Sequence, residues 1–303
     1  MFARRHPYLF FLLVSFSIFS VTAIVLSLFF AFRPESSNYD VYDGLLGQKV
    51  GVVELTGMIT DAGKVIKDIK TFREDASVKA IVLRIDSPGG GVGPSQEIYR
   101  EIEKTRAKKK IIIASLGSVA ASGGYYAASA TDGIMANPGT ITGSIGVIMG
   151  YTNFSEIFQK IGLTPVVIKS GEYKDMGSPL RAMTEKETEI LQQFVDKVHQ
   201  QFVNDAAKGR KMDPAEMGRL ADGRIYSGEE AVSLGLIDRI GNLEDAIEWA
   251  GRLAGIEGEV SPVYIKEDRL SFLKYLSDSS VDELANRFLG NKLSLEYSYD
   301  PSR

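Results

Sequence analysis

The chain has 303 residues, of which 44% are apolar and 24% charged, a composition typical of a globular protein. Its formal net charge is −4 and the sequence has no stripe of Lys and Arg, which excludes a general nucleic-acid-binding surface. It has no cysteine, which excludes disulfides, thiolate metal sites and a cysteine nucleophile.

The first 34 residues differ in composition from the rest. Residues 8–32 carry no charge, and as a helix this apolar run would cross a hydrocarbon core of about 30 Å. Arg4 and Arg5 precede it, which favours a cytoplasmic N-terminus and an extracytoplasmic body. A signal peptide cleaved near Val21-Thr22-Ala23 is the alternative, but the run exceeds the roughly 7–15 residues of a signal-peptide core. We therefore expect residues 1–34 to be a cytoplasmic stub and a single-pass anchor in the cell (inner) membrane.

A polar linker, residues 35–47, leads to a body in which strand and helix patterns alternate. The predicted strands are 49–55, 79–85, 110–114, 134–136, 145–148 and 165–168, and the predicted helices are 94–104, 125–130, 154–162, 184–208, 228–234 and 242–254. This alternation predicts an α/β domain with a mainly parallel sheet at residues 48–257. Residues 258–303 form a C-terminal extension to which the sequence assigns no role.

The longest predicted helix begins at a capping box, in which Glu187 follows Thr184 by three residues. Its apolar stripe consists of Ile190, Leu191, Phe194, Val195, Val198, Phe202 and Val203. Because this stripe is broad, we expect the helix to pack against the body or against a neighbouring subunit.

Ser122 is a candidate nucleophile. It follows the predicted strand 110–114 within a run of small residues, and a serine on a tight strand-to-helix turn is how α/β hydrolases expose a reactive hydroxyl. The small neighbours permit a sharp turn, and the N–H of Gly123 is well placed to donate to an oxyanion. The alternative is that Ser122 only caps the following helix.

A second group of backbone donors is predicted in the Asp-Ser-Pro-Gly-Gly-Gly turn, Asp86–Gly91. Glycine-rich turns ahead of a helix offer N–H groups to an anion, so this three-glycine turn is a candidate second oxyanion donor. The turn lacks the Gly-Lys-Ser/Thr of a phosphate loop, and its glycine spacing departs from that of dinucleotide-binding motifs. A plain loop is the alternative.

Lys174 is the candidate base for Ser122. The two histidines fit this role poorly, because His6 precedes the apolar run and His199 lies in the middle of a predicted helix. A lysine has an ordinary pKa of about 10.4, so it acts as a base only where burial keeps its amine neutral. Ser144 is a candidate for orienting that amine, and Lys169 is the competing base.

Five blocks of sequence carry a resemblance to a known family. They are Asp86–Gly90, Ala120–Tyr126, Thr142–Val147, Tyr173-Lys174 with Ser178-Pro179, and Gly223–Tyr226 with Leu234–Asp238. With these blocks in this order, the chain resembles the signal peptide peptidase SppA family in its short, single-repeat form, over residues 49–253. The resemblance implies a Clp-protease/crotonase-like spiral of βαβ units and a serine endopeptidase.

The resemblance also implies the site residues: nucleophile Ser122, general base Lys174, lysine-orienting Ser144, and oxyanion-hole donors Gly89, Gly90 and Gly123. It implies a ring-like homo-oligomer in which the serine and the lysine come from adjacent subunits. The implied substrates are remnant signal peptides and other hydrophobic or membrane-derived peptides, cleaved through an acyl-enzyme. We expect no cofactor, no metal and no nucleic-acid partner.

Two alternatives to this function remain. A non-catalytic, ring-forming membrane scaffold of the same fold would keep these motifs without turnover. Acyl-CoA chemistry on the same fold is the weaker of the two, because it gives no reason for a membrane anchor.

Overall fold

The computed structural model describes residues 48–265 and 294–298, together with residues 8, 10–12, 15–17 and 19–22. Contacts divide the chain into two units, Met1–Tyr39 and Asp40–Arg303. The described residues of the first unit are helical, and their side chains are mostly exposed. In the described part of the chain no helix combines the length and apolar character needed to span a membrane. More than half of the predicted anchor, 8–32, lies outside the described residues, as do the predicted linker 35–47 and most of the extension 258–303.

Strands and helices alternate along the second unit. The strands are β1 (Lys49–Thr56), β2 (Val78–Ser87), β3 (Gly89–Gly91), β4 (Ile111–Ala121), β5 (Gly133–Ala136), β6 (Ile141–Gly143), β7 (Ile148–Gly150), β8 (Ile225–Ser227), β9 (Arg239–Ile240), β10 (Ser261–Tyr264) and β11 (Ser294–Ser298). The helices are α1 (Gly63–Glu74), α2 (Val92–Ala107), α3 (Gly123–Ser129), α4 (Ser155–Lys160), α5 (Glu185–Arg210), α6 (Pro214–Leu220), α7 (Gly228–Ser233) and α8 (Leu243–Leu253).

The main sheet has eight strands and is mainly parallel. Its continuous path is β10-β1-β2-β4-β5-β9, and every pair along this path is parallel. Strand β6 pairs in parallel with the end of β4, and β8 is antiparallel to β6. Parallel neighbours need long crossovers, which α1, α2 and α3 supply between β1, β2, β4 and β5. The mixed α/β fold predicted from the sequence is therefore confirmed.

The core lies on both faces of this sheet. In β1, Val50 and Val52 pack into a cluster that includes Trp249 of α8. Gly51 points to the opposite face, because successive strand residues alternate, and a Cβ there would lie 2.5 Å from the ring of Phe72 in α1. Most residues of strands β2 and β4 are buried, because both faces of these strands are covered.

A second, smaller sheet of three strands, β3-β11-β7, is antiparallel. Tyr297 of β11 is opposite Gly90 of β3, and Leu295 is opposite Met149 of β7. A segment near the C-terminus therefore lies between two short strands that follow β2 and β6. No strand is predicted there from the sequence.

Three predicted strands differ from the structure. The strand predicted at 110–114 continues to Ala121 as β4, because the small residues after it pair with β6. Residues 165–168 form no strand, and Val166 and Ile168 are 83% and 98% exposed. Apolar residues favour a strand only where a neighbouring strand can pair with their backbone, and this segment pairs with none in the described chain. The predicted strand 145–148 is not observed with these bounds. The chain instead forms β6 before residue 145 and β7 from Ile148 onwards.

Candidate active site

Ser122 occupies the turn between β4 and α3. Its backbone has φ 53° and ψ −116°, a left-handed conformation that residues other than glycine rarely adopt. The residue is 1% exposed, and its N–H donates to the carbonyl oxygen of Gly143 at 2.8 Å. Ser122 stands at the N-cap position of α3, yet its side chain makes no capping hydrogen bond. The hydroxyl is therefore not used for capping, which favours the nucleophile interpretation.

The strand register brings Ser144 beside Ser122. Ala121 of β4 is paired in parallel with Gly143 of β6, so the two serines follow paired residues on neighbouring strands. Ser144 is 8% exposed, and its N–H donates to the carbonyl oxygen of Arg224 at 2.8 Å. Two hydroxyl groups thus lie at adjacent carboxyl ends of a parallel sheet, where ligands bind in open α/β folds.

The glycine turn lies at the same edge. Ser87, at the end of β2, is paired with Ala120 of β4, and a Cβ on Gly124 would lie 3.0 Å from the carbonyl oxygen of Ser87. The turn therefore approaches the beginning of α3. A Cβ on Gly90 would lie 2.4 Å from the carbonyl oxygen of Ile59, so only glycine fits there.

The donors of this edge differ in their availability. The N–H of Gly89 donates to Ser87 Oγ at 3.1 Å, so it is already engaged. The N–H of Gly123 opens α3, where the first four N–H groups of a helix have no intrahelical partner. The N–H of Gly123 is therefore better placed as an oxyanion donor than that of Gly89, whereas Gly90 is paired with Tyr297 of β11.

Two tyrosines after Ser122 fix helix α3 in place. Tyr125 is fully buried, and its hydroxyl donates to the carbonyl oxygen of Leu236 at 2.9 Å. Burial raises the pKa of Tyr125, so the phenol stays a protonated donor. The ring of Tyr126 packs edge-on against Phe202 of α5 at 4.8 Å, and its hydroxyl donates to Asp205. The turn at Ser122 therefore rests on a rigid helix.

Lys174 lies in a long segment without regular structure, and its side chain is exposed. Its backbone N–H donates to the carbonyl oxygen of Gly171 at 3.2 Å. In the part of the chain that the structure describes, the Lys174 amine makes no hydrogen bond or ion pair with Ser122, with Ser144 or with any other group. The structure brings together the serines and the glycine turn, but it does not join Lys174 to them within one chain.

Two other cations of this segment are engaged in ion pairs. The Lys169 amine lies 2.6 Å from Asp175 Oδ1 and 2.7 Å from the carbonyl oxygen of Glu172, which makes it a poor base. Arg181 binds both Asp175 and Glu187. Hydrogen bonds from Arg181 and Lys169 hold the pKa of Asp175 well below its ordinary value. Arg181, followed by the N–H of Thr184, lowers the pKa of Glu187 to about 2. The sequence does not predict this network.

A cavity of about 550 Å³ adjoins Ser144. It is also lined by Ile148, Met149, Gly150 and His199, among others. The buried Nε2 atom of His199 has no hydrogen-bond partner among the described residues. The sequence predicts His199 only as an ordinary residue of a helix, because the cavity forms between segments that are distant in the chain.

The sequence matches two family models. The model of peptidase family S49 matches residues 104–257, and the Clp protease model matches residues 33–142. A candidate protease of Synechocystis sp. is 41% identical over 254 residues, which cover 82% of this chain and 91% of that protein.

A candidate signal peptide peptidase SppA of Enterococcus faecium is 36% identical over 280 residues, covering 86% of this chain and 76% of that protein. Protease 4 of Salmonella typhi is 32% identical over 220 residues, covering 70% of this chain and 35% of that protein. These matches confirm the resemblance that the sequence motifs carry. The chain belongs to peptidase family S49, and it is a serine peptidase.

Proposed function

We propose that the chain is a membrane-anchored serine endopeptidase that hydrolyses remnant signal peptides and other hydrophobic or membrane-derived peptides through a Ser122/Lys174 dyad. The observation that carries this proposal is the backbone of Ser122, which is held in a left-handed conformation at the edge of a parallel sheet. Ser122 follows a residue of β4 that is paired with the residue before Ser144, and its hydroxyl does not cap a helix. Such a conformation is costly, and it persists where function needs it.

The proposed reaction starts when Ser122 Oγ attacks the carbonyl carbon of the scissile bond and its proton passes to the neutral amine of Lys174. The N–H groups of Gly123 and Gly90 donate to the oxyanion that forms, with Gly89 beside them. The intermediate collapses to an acyl-enzyme, and the Lys174 ammonium donates its proton to the leaving amine. Water then attacks the ester and loses a proton to Lys174, the bond between the acyl carbon and Ser122 Oγ breaks, and the ammonium returns the proton to Ser122 Oγ. The Ser144 hydroxyl accepts a hydrogen bond from the amine and orients it.

Exposed apolar side chains support a homo-oligomer in which Lys174 acts on Ser122 of an adjacent subunit. Ile161, Val166 and Ile168, in the segment before Lys174, are 63%, 83% and 98% exposed. On the nearby helix α5, Phe194 is 50% exposed, whereas Phe202 further along the same stripe is fully buried. Large apolar side chains that are exposed in one chain favour contact with another chain.

The anchor and the domain boundaries belong to the same proposal. Residues 1–34 would form the cytoplasmic stub and the anchor, 35–47 the linker, and 48–257 the peptidase domain, followed by the extension 258–303. The body would have the spiral arrangement of Clp-protease/crotonase-like folds. An anchor in the cell (inner) membrane would hold the extracytoplasmic site close to hydrophobic peptides that leave the bilayer. The name of the Enterococcus relative supports this substrate class.

Turnover of a synthetic signal peptide by the full chain tests the dyad. We expect Ser122→Ala and Lys174→Ala each to lose about 1000-fold or more in kcat, because the two groups act as a unit. Lys67→Ala, which changes an exposed lysine of α1, is the control that keeps wild-type turnover. Wild-type kcat in Lys174→Ala would refute that base, and an inactive wild type with intact assembly would favour the scaffold.

Mixing the two inactive variants tests the subunit arrangement. If each site takes its serine from one subunit and its lysine from the next, a randomly mixed ring of equal parts has both groups in roughly a quarter of its sites. We therefore expect about a quarter of wild-type activity after co-refolding. Mixed rings with no recovered activity would place both groups in one chain.

A further inference from the structure

We propose that Arg181 is a positioning residue for Lys174: it clamps the segment that carries the lysine to the beginning of helix α5. This inference rests on the proposed function, because it concerns the base of the same dyad. It assigns a role to an ion-pair network that the sequence motifs do not identify.

Few other contacts fix the segment: the N–H of Phe154 donates to the carbonyl oxygen of Pro179 at 2.7 Å, and the Lys186 amine lies 5.4 Å from the centre of the Tyr173 ring. The chain from the end of α4 to the start of α5 contains no helix or strand, and connections longer than about 12–15 residues without structure are uncommon unless they are functional. Its apolar side chains do not anchor it either, since Val166, Val167 and Ile168 are exposed. The position of Lys174 therefore depends on polar contacts.

Arg181 supplies these contacts on one side through Asp175, the residue next to Lys174. Its Nε donates to Asp175 Oδ2 and its Nη2 to Asp175 Oδ1, both at 2.9 Å. The same Nη2 lies 3.3 Å from the backbone carbonyl oxygen of Asp175. The guanidinium therefore grips both the side chain and the main chain of the residue that follows the proposed base.

On its other side, Arg181 is fixed to α5. Its Nη1 donates to Glu187 Oε2 at 2.8 Å, and its Nη2 donates to Glu187 Oε1. Glu187 is 3% exposed, and its carboxylate also accepts from the N–H of Thr184 at 2.9 Å in the capping box. Nη1 further donates to the carbonyl oxygen of Ala182 at 3.0 Å. All five N–H groups of the arginine are thus used, and the segment is joined to a helix of 26 residues.

The clamp also occupies the carboxylate that lies nearest to Lys174 in the chain. Both oxygens of Asp175 accept from Arg181, and Oδ1 accepts from Lys169 as well. A free carboxylate beside the base would pair with its ammonium form and hold the proton. Because Asp175 is fully engaged, it is not available for that pairing.

Arg181→Lys in the full chain tests the clamp. A lysine is a point charge that cannot bind two carboxylates in a fork, so the segment should lose its fixed position. We expect kcat to fall about 100-fold, the loss that a misplacement of about 1 Å causes, with KM changed less than about twofold. The matched control is Arg210→Lys, which breaks a similar bidentate pair with Asp238 at the other end of α5 and should keep wild-type kcat.

A double-variant cycle separates positioning from general stability. If Arg181 acts through Lys174, adding Arg181→Lys to Lys174→Ala should change the residual rate on an activated peptide ester by less than about twofold. Additive losses would overturn the proposal, and so would wild-type kcat in Arg181→Lys.

The Lys174→Ala variant separates failure of the proposed function from failure of the clamp, and a second variant tests the clamp if Arg181→Lys does not fold. Wild-type activity in Lys174→Ala would refute the proposed function itself. Wild-type activity in Arg181→Lys, when Lys174→Ala is inactive, would refute only the clamp. If Arg181→Lys does not fold, Asp175→Asn breaks the same link while leaving the Arg181–Glu187 pair. We expect that variant to lose about tenfold in kcat, because one hydrogen-bond acceptor remains. Wild-type kcat there would overturn the clamp.

Discussion

The backbone of Ser122 is held in a conformation that an L-amino acid avoids. A left-handed φ in a residue other than glycine costs on the order of 1–3 kcal/mol, and it persists only where the surroundings fix it. Here the N–H of Ser122 is bound to Gly143, and its carbonyl oxygen accepts from Tyr126 in the first turn of α3. The backbone of Ser122 therefore lowers the free energy of unfolding, and the hydroxyl that it positions caps no helix.

This strain predicts that Ser122→Gly is more stable than the wild type. Glycine adopts the conformation freely, although it also gives the unfolded chain more freedom, which offsets about 0.4–1 kcal/mol. We expect a net gain of about 1 kcal/mol in the free energy of unfolding, measured by urea denaturation. Ser122→Ala is the control, because it removes the hydroxyl but keeps the Cβ. Equal stabilities of the Gly and Ala variants would contradict the strain.

The Arg181–Glu187 pair predicts how stability depends on pH. The pKa of Glu187 is about 2 in the folded chain and 4.5 ordinarily. Between these values the unfolded chain binds a proton that the folded chain does not, so stability rises with pH. The contribution of Glu187 is complete above pH 4.5 and is lost as the pH falls towards 2.

Urea denaturation from about pH 3 to 7 measures this dependence. The difference in free energy of unfolding between wild type and Glu187→Gln should be largest above about pH 5 and should shrink on acidification. Glu189→Gln changes an exposed neighbour on the same helix and serves as control. A difference that stays constant with pH would show that the ion pair does not stabilise the fold.

Which site residues the sequence predicts depends on how local their roles are. Ser122, its small neighbours and the Thr184 capping box are short-range signals, and the structure shows both the turn and the box. That Ser144 lies beside Ser122 follows from the pairing of β4 with β6, which no local pattern contains. In the sequence Arg181 looks like any surface arginine, because its role depends on two carboxylates, Asp175 before it and Glu187 after it.

At the scale of elements, the contact between α5 and α3 supports the edge of the sheet that carries Ser122. Gly209 lies where α5 passes α3, and a Cβ there would be 1.9 Å from the carbonyl oxygen of Ser129. The two helices approach this closely only because residue 209 has no side chain. Tyr126 and Phe202 continue the same contact.

Gly209→Ala should therefore separate the two helices. We expect a loss of about 1–3 kcal/mol in the free energy of unfolding, the usual cost of overpacking, together with lower activity. Gly218→Ala is the matched control, because a Cβ on Gly218 in α6 would meet no other atom within 4 Å. Alanine at that position should raise the free energy of unfolding by about 1 kcal/mol, since it favours a helix more than glycine does. Equal stability of Gly209→Ala and the wild type would contradict the close approach.

As with the residues, the elements that the sequence predicts are those that depend on local patterns. Helix α5 and strands β1 and β2 are strongly periodic or apolar, and they are predicted close to their observed bounds, whereas β4 continues seven residues beyond its predicted end at Ala114. Residues 165–168 are equally apolar but form no strand, because their side chains have no partner in the described chain. Strands β3 and β11 are not predicted, because each depends on pairing with a distant segment.

At the scale of the whole molecule, some apolar side chains are buried within one chain and others are left exposed to water. The sheet is buried on both faces, whereas the segment before Lys174 exposes large apolar side chains. A monomer would keep this surface in water, at a cost that association with another subunit removes. Folding and completion of the proposed site are therefore expected to require the same contact between subunits.

The pairing of β11 with both β3 and β7 fills two strand edges that an added strand would otherwise occupy. A peptide that binds as an added strand would use the same two edges, so it must displace residues 294–298. Because this competing segment is tethered, its competition does not weaken on dilution.

Deleting residues 294–303 should lower KM and leave kcat unchanged. The decrease in KM should be about tenfold if the strand is docked in roughly nine of ten molecules. Deleting only residues 299–303 keeps β11 and is the control. An unchanged KM in the longer deletion would show that peptides reach the serine by another route. Kinetic constants of the intact chain would otherwise describe a competition, and inhibitors ranked on it would be ranked partly by their ability to displace the tail.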